Sequence, residues 1–185
     1  MAHRVCPWWL GYLLASPVRR LLQNPREILP PFIAEGMTVL EPGPGMGFFT
    51  IEMARLVGER GRIVAVDIAP KMLEGLRQRA RREGVLDRVD VRQATPSGLG
   101  LQDLDGHVDF ALAFAVIHEL PDQERFFAEV HAALKPGGKV LVAEPRGHVK
   151  VPEFRAMLQV AAEGGFRADG KPAIPRSRTV VLVKT

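Results

Sequence analysis

Only one cysteine, Cys6, occurs in the 185 residues. A lone thiol excludes an intrachain disulfide and any zinc or iron–sulfur site built on several thiolates, and it is compatible with a reducing cytosol. No apolar run approaches the ~18 residues that a membrane-spanning helix needs. The start, "MAHRVCPWWLGYLLASP", carries one arginine ahead of an apolar stretch, but Pro7 and Gly11 interrupt it and no A-x-A site follows. A secretory signal is therefore not expected, and a cytoplasmic location is. The chain also lacks a Gly/Ser-rich linker, an internal repeat or a low-complexity tract, so one domain with one main site is the expectation. The histidines and carboxylates show no metal-ligand spacing, and no metal is assigned. Acidic residues are outnumbered, giving a formal charge of +4. That excess permits an anionic substrate or RNA, but "RQRARRE" (77–83) reads as a solvated helix face opposite Met72, Leu73, Leu76 and Ala80.

What is present is an alternation of short apolar runs and amphipathic segments. "MTVL" (37–40), "RIVAVD" (62–67), "VDVR" (89–92), "VDFALAF" (108–114) and "KVLVAE" (139–144) are β-branched, bounded by turn residues, and predict buried strands. Helices are predicted over Phe49–Val57, Lys71–Glu83, Glu124–Leu134 and Pro152–Glu163, with "KPGG" stopping the third. Strand–helix–strand units of this length imply parallel pairing through right-handed crossovers, hence a doubly wound α/β domain. Ligands in such sheets bind beyond the carboxyl ends of the strands. Glu41, Asp67, His118, Glu119 and Glu144 all follow strand ends and can face the site. His107 precedes a strand, and His131 falls within a helix, so structure or solvent, rather than catalysis, is read as explaining both.

"VLEPGPGMGFF" (39–49) closes the first strand with Gly43, Gly45 and Gly47, a GxGxG spacing. It is neither the GxGxxG of dinucleotide sites, because Phe48 stands at the third glycine, nor a P-loop, because no Gly-Lys-Ser/Thr follows. Glu41 would repel a pyrophosphate but attract a ligand carrying ammonium or sulfonium charge. Twenty residues past Gly47, Asp67 ends the second strand, where a carboxylate can accept hydrogen bonds from two ribose hydroxyls. A cation bearing a ribose is wanted, and S-adenosylmethionine meets both demands.

On these residues the sequence resembles the class I S-adenosylmethionine-dependent methyltransferases, in particular the small branch similar to the ubiquinone/menaquinone-type and type 11 enzymes. "VLEPGPGMGFF", "VAVDIAPKML", "VDFALAFAVIHELPD" and "LKPGGKVLVAE" look like four of that family's blocks in the right order. The resemblance implies a Rossmann-like seven-stranded sheet, mostly parallel with an antiparallel last strand and helices on both faces. The sixth strand would lie near Arg167–Ala173 and the seventh at Thr179–Lys184. It implies a helical lid over residues 1–30, including Trp8, Trp9 and Tyr12, and a cofactor-binding domain over 31–185. Carried over by position, Glu41, Gly43 and Gly45 would hold the methionine part of S-adenosylmethionine, or of its product S-adenosylhomocysteine, with Pro44 and Gly47 also at the cofactor. Asp67 would take the ribose, Ile68 one adenine face, and the main chain near Ala113 and Phe114 the amino-acid end, with Met72 also at the cofactor. Where relatives carry a Gly-Asp pair, this chain reads "RQATP", leaving Ala94 and Thr95 as substitutes, with a simple turn before Pro96 as the competing reading.

Methyl transfer from a sulfonium is an in-line displacement, in which the protein mainly aligns the groups and excludes water. A base is needed for a hydroxyl or protonated amine. His118 is the candidate, with Glu119 second; packing of the loop and an exposed ion pair are the respective competing readings. The absence of an "NPPY"-like tetrapeptide where "FAVI" stands favours a small-molecule acceptor. An RNA methyltransferase and a non-catalytic S-adenosylmethionine-binding domain are the alternatives.

Overall fold

The computed structural model describes residues 22–185. Seven strands form one sheet: β1 Thr38–Pro42, β2 Arg62–Asp67, β3 Val89–Gln93, β4 Val108–Phe114, β5 Leu134–Pro145, β6 Phe166–Gly170 and β7 Ser177–Lys184. The helices among the described residues are α1 Pro25–Ile28, α2 Thr50–Leu56, α3 Pro70–Arg82, α4 Gln123–Ala133 and α5 Val151–Glu163. Strand order is β3-β2-β1-β4-β5-β7-β6, with β7 antiparallel to both neighbours and the remaining pairs parallel. From β1 the chain winds outward through β2 and β3, then returns to β4 on the other side. That reversal sets the switch point at β1/β4, where an open sheet forms its ligand crevice.

Successive strand residues serve opposite faces, as the two-residue period requires. Leu40, Val64, Ala111 and Val142 enter a core with Phe126, Phe127 and Val130 of α4 and Phe154 and Met157 of α5. Their neighbours Val39, Ile63, Phe110 and Leu141 enter a second core with Ile51, Met53 and Ala54 of α2 and Leu76 and Ala80 of α3. Both faces are thus covered, which explains why the central strands are apolar throughout rather than alternating with polar residues.

The expected lid over residues 1–30 falls mostly outside the described residues, as do Trp8, Trp9 and Tyr12. Within 22–30, Asn24 caps α1 through its side chain and Leu29 is fully buried.

Most boundaries move by one or two residues, and two places differ more from the sequence reading. Helix α4 ends at Ala133, ahead of "KPGG", and β5 begins at once: Leu134 pairs with Val108, Lys139 with Phe110. Lys135–Gly138 bulge out between these pairs, and Gly137 takes the left-handed turn with φ 73°. Strand β6 is shorter than expected and displaced toward its start. It ends at Gly170 after a register shift, and "KPAIPR" (171–176) is the connection to β7. Two prolines there cannot donate to the ladder.

The two histidines read as structural do structural work. His107 Nδ1 lies 2.6 Å from the Asp105 carbonyl, at the edge opposite the strand carboxyl ends. His131 packs edge-on against Phe166 with ring centroids 5.3 Å apart, and burial pushes its pKa down.

Candidate active site

Glu41 closes β1 with its side chain buried at 3% exposure. The Thr50 hydroxyl, at the start of α2, donates to Glu41 Oε2 at 2.5 Å. A carboxylate taken this far out of water must be hydrogen-bonded, and Thr50 supplies part of that need. Between them runs the glycine loop. Gly43 has φ 68°, donates its N–H to the Val66 carbonyl at 2.8 Å, and leaves no room for a Cβ, which would fall 2.7 Å from Val116 Cγ2. At Gly45, φ 54°, an added Cβ would meet nothing within 4 Å of the protein; the loop's face is bare toward the cavity.

One strand over, Asp67 ends β2, and its Oδ1 accepts the Ala69 N–H at 2.9 Å. Burial raises its pKa above the ordinary carboxylate value, partly offset by backbone donors from Ala69, Gly45 and Ile68. Its ionised form is therefore penalised in the folded state as pH rises above the ordinary carboxylate range. Asp67→Asn should keep the Ala69 bond and remove that penalty, giving a melting temperature at neutral pH equal to or above the parent's. It should also weaken adenosine-cofactor binding about tenfold, because a charged acceptor is lost; thermal melts and calorimetry read the two effects separately.

The third edge is the β4 exit. Ala115 takes φ 56°, a strained conformation for a residue with a Cβ, held by its N–H donating to the Ala143 carbonyl at 2.8 Å. The chain then enters a short 3-10 turn, Ile117–Glu119. Glu144, fully buried on β5, fixes this turn with both oxygens. Oε1 accepts the Ile117 N–H at 2.8 Å, and Oε2 lies 2.5 Å from His118 Nδ1. With a carboxylate as partner, Nδ1 carries the proton, leaving Nε2 as the nitrogen that can accept one. The Glu144 hydrogen bond raises the His118 pKa against the lowering effect of burial. His148 approaches the same ring edgewise, with centroids 5.6 Å apart.

These three edges line one cavity of about 780 Å³. Among the residues expected at the site, Glu41, Gly43, Pro44, Gly45, Asp67, Ile68, Met72, Ala94, Thr95, Phe114, His118 and Glu119 border it. Two do not. Gly47 packs against α3, where a Cβ would come 2.6 Å from Leu76 Cδ1. Ala113 is fully buried in the α4/α5 core, and the chain reaches the cavity only from Phe114 onward. Thr95 both lines the cavity and makes a turn, exchanging backbone hydrogen bonds with Gly98 at 3.1 Å while its hydroxyl pairs with Ser97 at 2.7 Å. Thr50, His148 and Arg176 were not singled out from the sequence, and Glu144 was noted only as a strand-end acid. Arg176 also lines the cavity, at φ 60°.

A seven-stranded sheet with this order and an antiparallel β7, with carboxylates ending its first two strands around a glycine loop, defines the class I S-adenosylmethionine-dependent methyltransferase architecture. Residues 33–165 match the model of a methyltransferase domain family, and the chain belongs to that family. Ubiquinone/menaquinone biosynthesis C-methyltransferases are among its curated relatives. That of Klebsiella pneumoniae is 33% identical over 112 residues, 60% of this chain and 44% of the relative. That of a Marinomonas species is 30% identical over 155 residues, 84% of this chain and 59% of the relative. The chain thus spans between 44% and 59% of the length of these two relatives. The solved structure of an S-adenosylmethionine-dependent methyltransferase from Aquifex aeolicus matches with a TM-score of 0.84 and 25% identity, covering 97% of this chain and 98% of that one.

Proposed function

We propose that this chain binds S-adenosylmethionine through Glu41, the glycine loop and Asp67, and methylates a small molecule whose accepting group must lose a proton. The observation that carries this reading is that the two strand-end carboxylates and His118, whose Nδ1 meets the buried Glu144, border the same cavity. The residues fit the cofactor. A buried carboxylate suits the methionine ammonium, the bare face at Gly45 admits close approach, and Asp67 can accept from a ribose. When bound, S-adenosylmethionine supplies an electrophilic methyl group on a positively charged sulfur.

The protein's own residues then have three tasks. Glu41 and Asp67 anchor the two ends of the cofactor and fix its orientation. The Phe114–His118 loop and the apolar side chains of Met72 and Leu120 border the space and limit water. Glu144 holds the His118 ring so that Nε2 takes the acceptor's proton as the new bond to carbon forms, the imidazolium being stabilised by the buried carboxylate. An acidic hydroxyl or an enol-type group, reacting at oxygen or at the adjacent carbon, suits such a base, and the C-methyltransferase relatives support the carbon case. The His118 loop borders the cavity rather than filling it, which supports catalysis over cofactor binding alone.

The test is transfer of labelled methyl from S-adenosylmethionine to a panel of phenols, enols and thiols across pH. Because Glu144 raises the His118 pKa, kcat for a hydroxyl or enol acceptor should climb as pH rises through a value above the ordinary histidine range and then level. Transfer that is indifferent to pH, or seen only with thiols, would remove His118 from the reaction.

A further inference from the structure

Beyond the main cavity, the β6–β7 connection and the start of α5 enclose a second, open cavity of about 680 Å³. Its wall carries five cations, Arg146, Arg155, Lys171, Arg176 and Arg178, and no Asp or Glu. None of the five pairs with a carboxylate among the described residues. Among the described residues Arg146 and Arg178 each use only Nε, donating to the Ser177 carbonyl at 3.1 Å and the Val149 carbonyl at 2.9 Å. Those bonds tether the side chains, and no described residue takes up either guanidinium tip. Several arginines elsewhere on the molecule do meet acids, as Arg92 does with Asp90 and Asp103. Five like charges gathered in one concave wall without a counter-charge are a standing electrostatic cost that an anion would relieve.

Arg176 is the one residue common to both cavities, and its left-handed backbone, φ 60°, is strain at the junction between them. Guanidinium forks match phosphate oxygens, and a concave site of this size suits a small molecule better than the flat track of a polymer or membrane. We propose that this second cavity binds the phosphate or diphosphate group of the methyl acceptor, with Arg176 bridging to the main cavity. The assignment of the anion to the acceptor rests on reading the main cavity as the methyl-transfer site.

Calorimetric titration with inorganic pyrophosphate at fixed ionic strength tests the site, with S-adenosylhomocysteine titrated in parallel. Saturable binding in the millimolar range or tighter is expected, weakened about tenfold in Arg155→Ala/Lys171→Ala, with S-adenosylhomocysteine affinity unchanged. Naphthyl phosphate should shift the NMR signals of Arg176 and His148 together, as a ligand reaching from one cavity into the other must. No pyrophosphate binding, or binding indifferent to the two substitutions, overturns the site while S-adenosylhomocysteine binding leaves the methyltransferase reading standing. Pyrophosphate binding without S-adenosylhomocysteine binding overturns the acceptor assignment through the cofactor reading instead. Phosphatidylglycerol vesicles or single-stranded RNA that displace pyrophosphate, and lose affinity in the same variant, also overturn it by assigning the surface to a macromolecule.

Discussion

Glu144→Gln should lower kcat by roughly 100- to 10,000-fold while leaving cofactor affinity unchanged. The glutamine is isosteric, and its carbonyl oxygen can still accept the Ile117 N–H that Glu144 Oε1 accepts at 2.8 Å. Its amide nitrogen, however, faces His118 Nδ1 as a donor. The ring is then held with its proton on Nε2, the nitrogen that must take one from the acceptor. The substitution also removes the main cause of the raised His118 pKa, so the residual rate should climb at lower pH than the parent's. A purely structural role for Glu144 would reduce stability without moving that midpoint.

Stability carries a matching signature. A histidine whose folded pKa is raised contributes stability that is fully present below its unfolded pKa, about 6.5, and lost as pH rises through the folded value. The gap in melting temperature between parent and Glu144→Gln should therefore be widest in mild acid and narrow toward alkaline pH.

Glu41→Gln should weaken S-adenosylmethionine about 10- to 100-fold, the ordinary worth of a charge-assisted contact in a site shielded from water. S-adenosylhomocysteine keeps the amino-acid ammonium and should lose affinity as well. The fold should tolerate the change, since the amide oxygen still accepts from Thr50 and the buried charge, costly in itself, is gone. Calorimetry together with thermal melts separates lost recognition from lost folding. Unchanged affinity would mean that the cation is recognised elsewhere in the cavity.

The sheet was legible in the sequence because buried parallel strands are written as unbroken β-branched runs between turn residues, and "RIVAVD" and "VDFALAF" become β2 and β4 without adjustment. The misread boundaries are places where two local signals compete. "LKPGG" reads as a helix stop, yet Leu134 is already in register with Val108, a long-range pairing that local sequence does not encode. In "GFRADGKPAIPR", the β propensity of Phe166–Ala168 is cut short by Gly170 and Pro172, and the register shift there fixes the end.

Site residues divide in the same way. Glu41 and Asp67 were readable because strand ends and glycine spacing locate them by topology alone. Ala113 and Gly47 do not border the cavity: the Ala113 side chain enters the core one residue before the chain reaches the cavity at Phe114, and Gly47 packs against Leu76. The His118–Glu144 pair joins residues 26 apart, one in the turn after β4 and one on β5, so only the β4–β5 register brings them together. The cationic wall is harder still. Arg155 comes from a helix, Arg146 from the end of β5, and Lys171 and Arg176 from the β6–β7 connection, and none forms a charge run in sequence.

The most direct test of the central claim is calorimetric titration of the purified chain with S-adenosylmethionine, with S-adenosylhomocysteine and NADH titrated alongside. Saturable binding of the first two and none of NADH is the predicted result. Binding of NADH alone, or of none of the three, would contradict the reading of Glu41, the glycine loop and Asp67 as a site for a cationic adenosine cofactor.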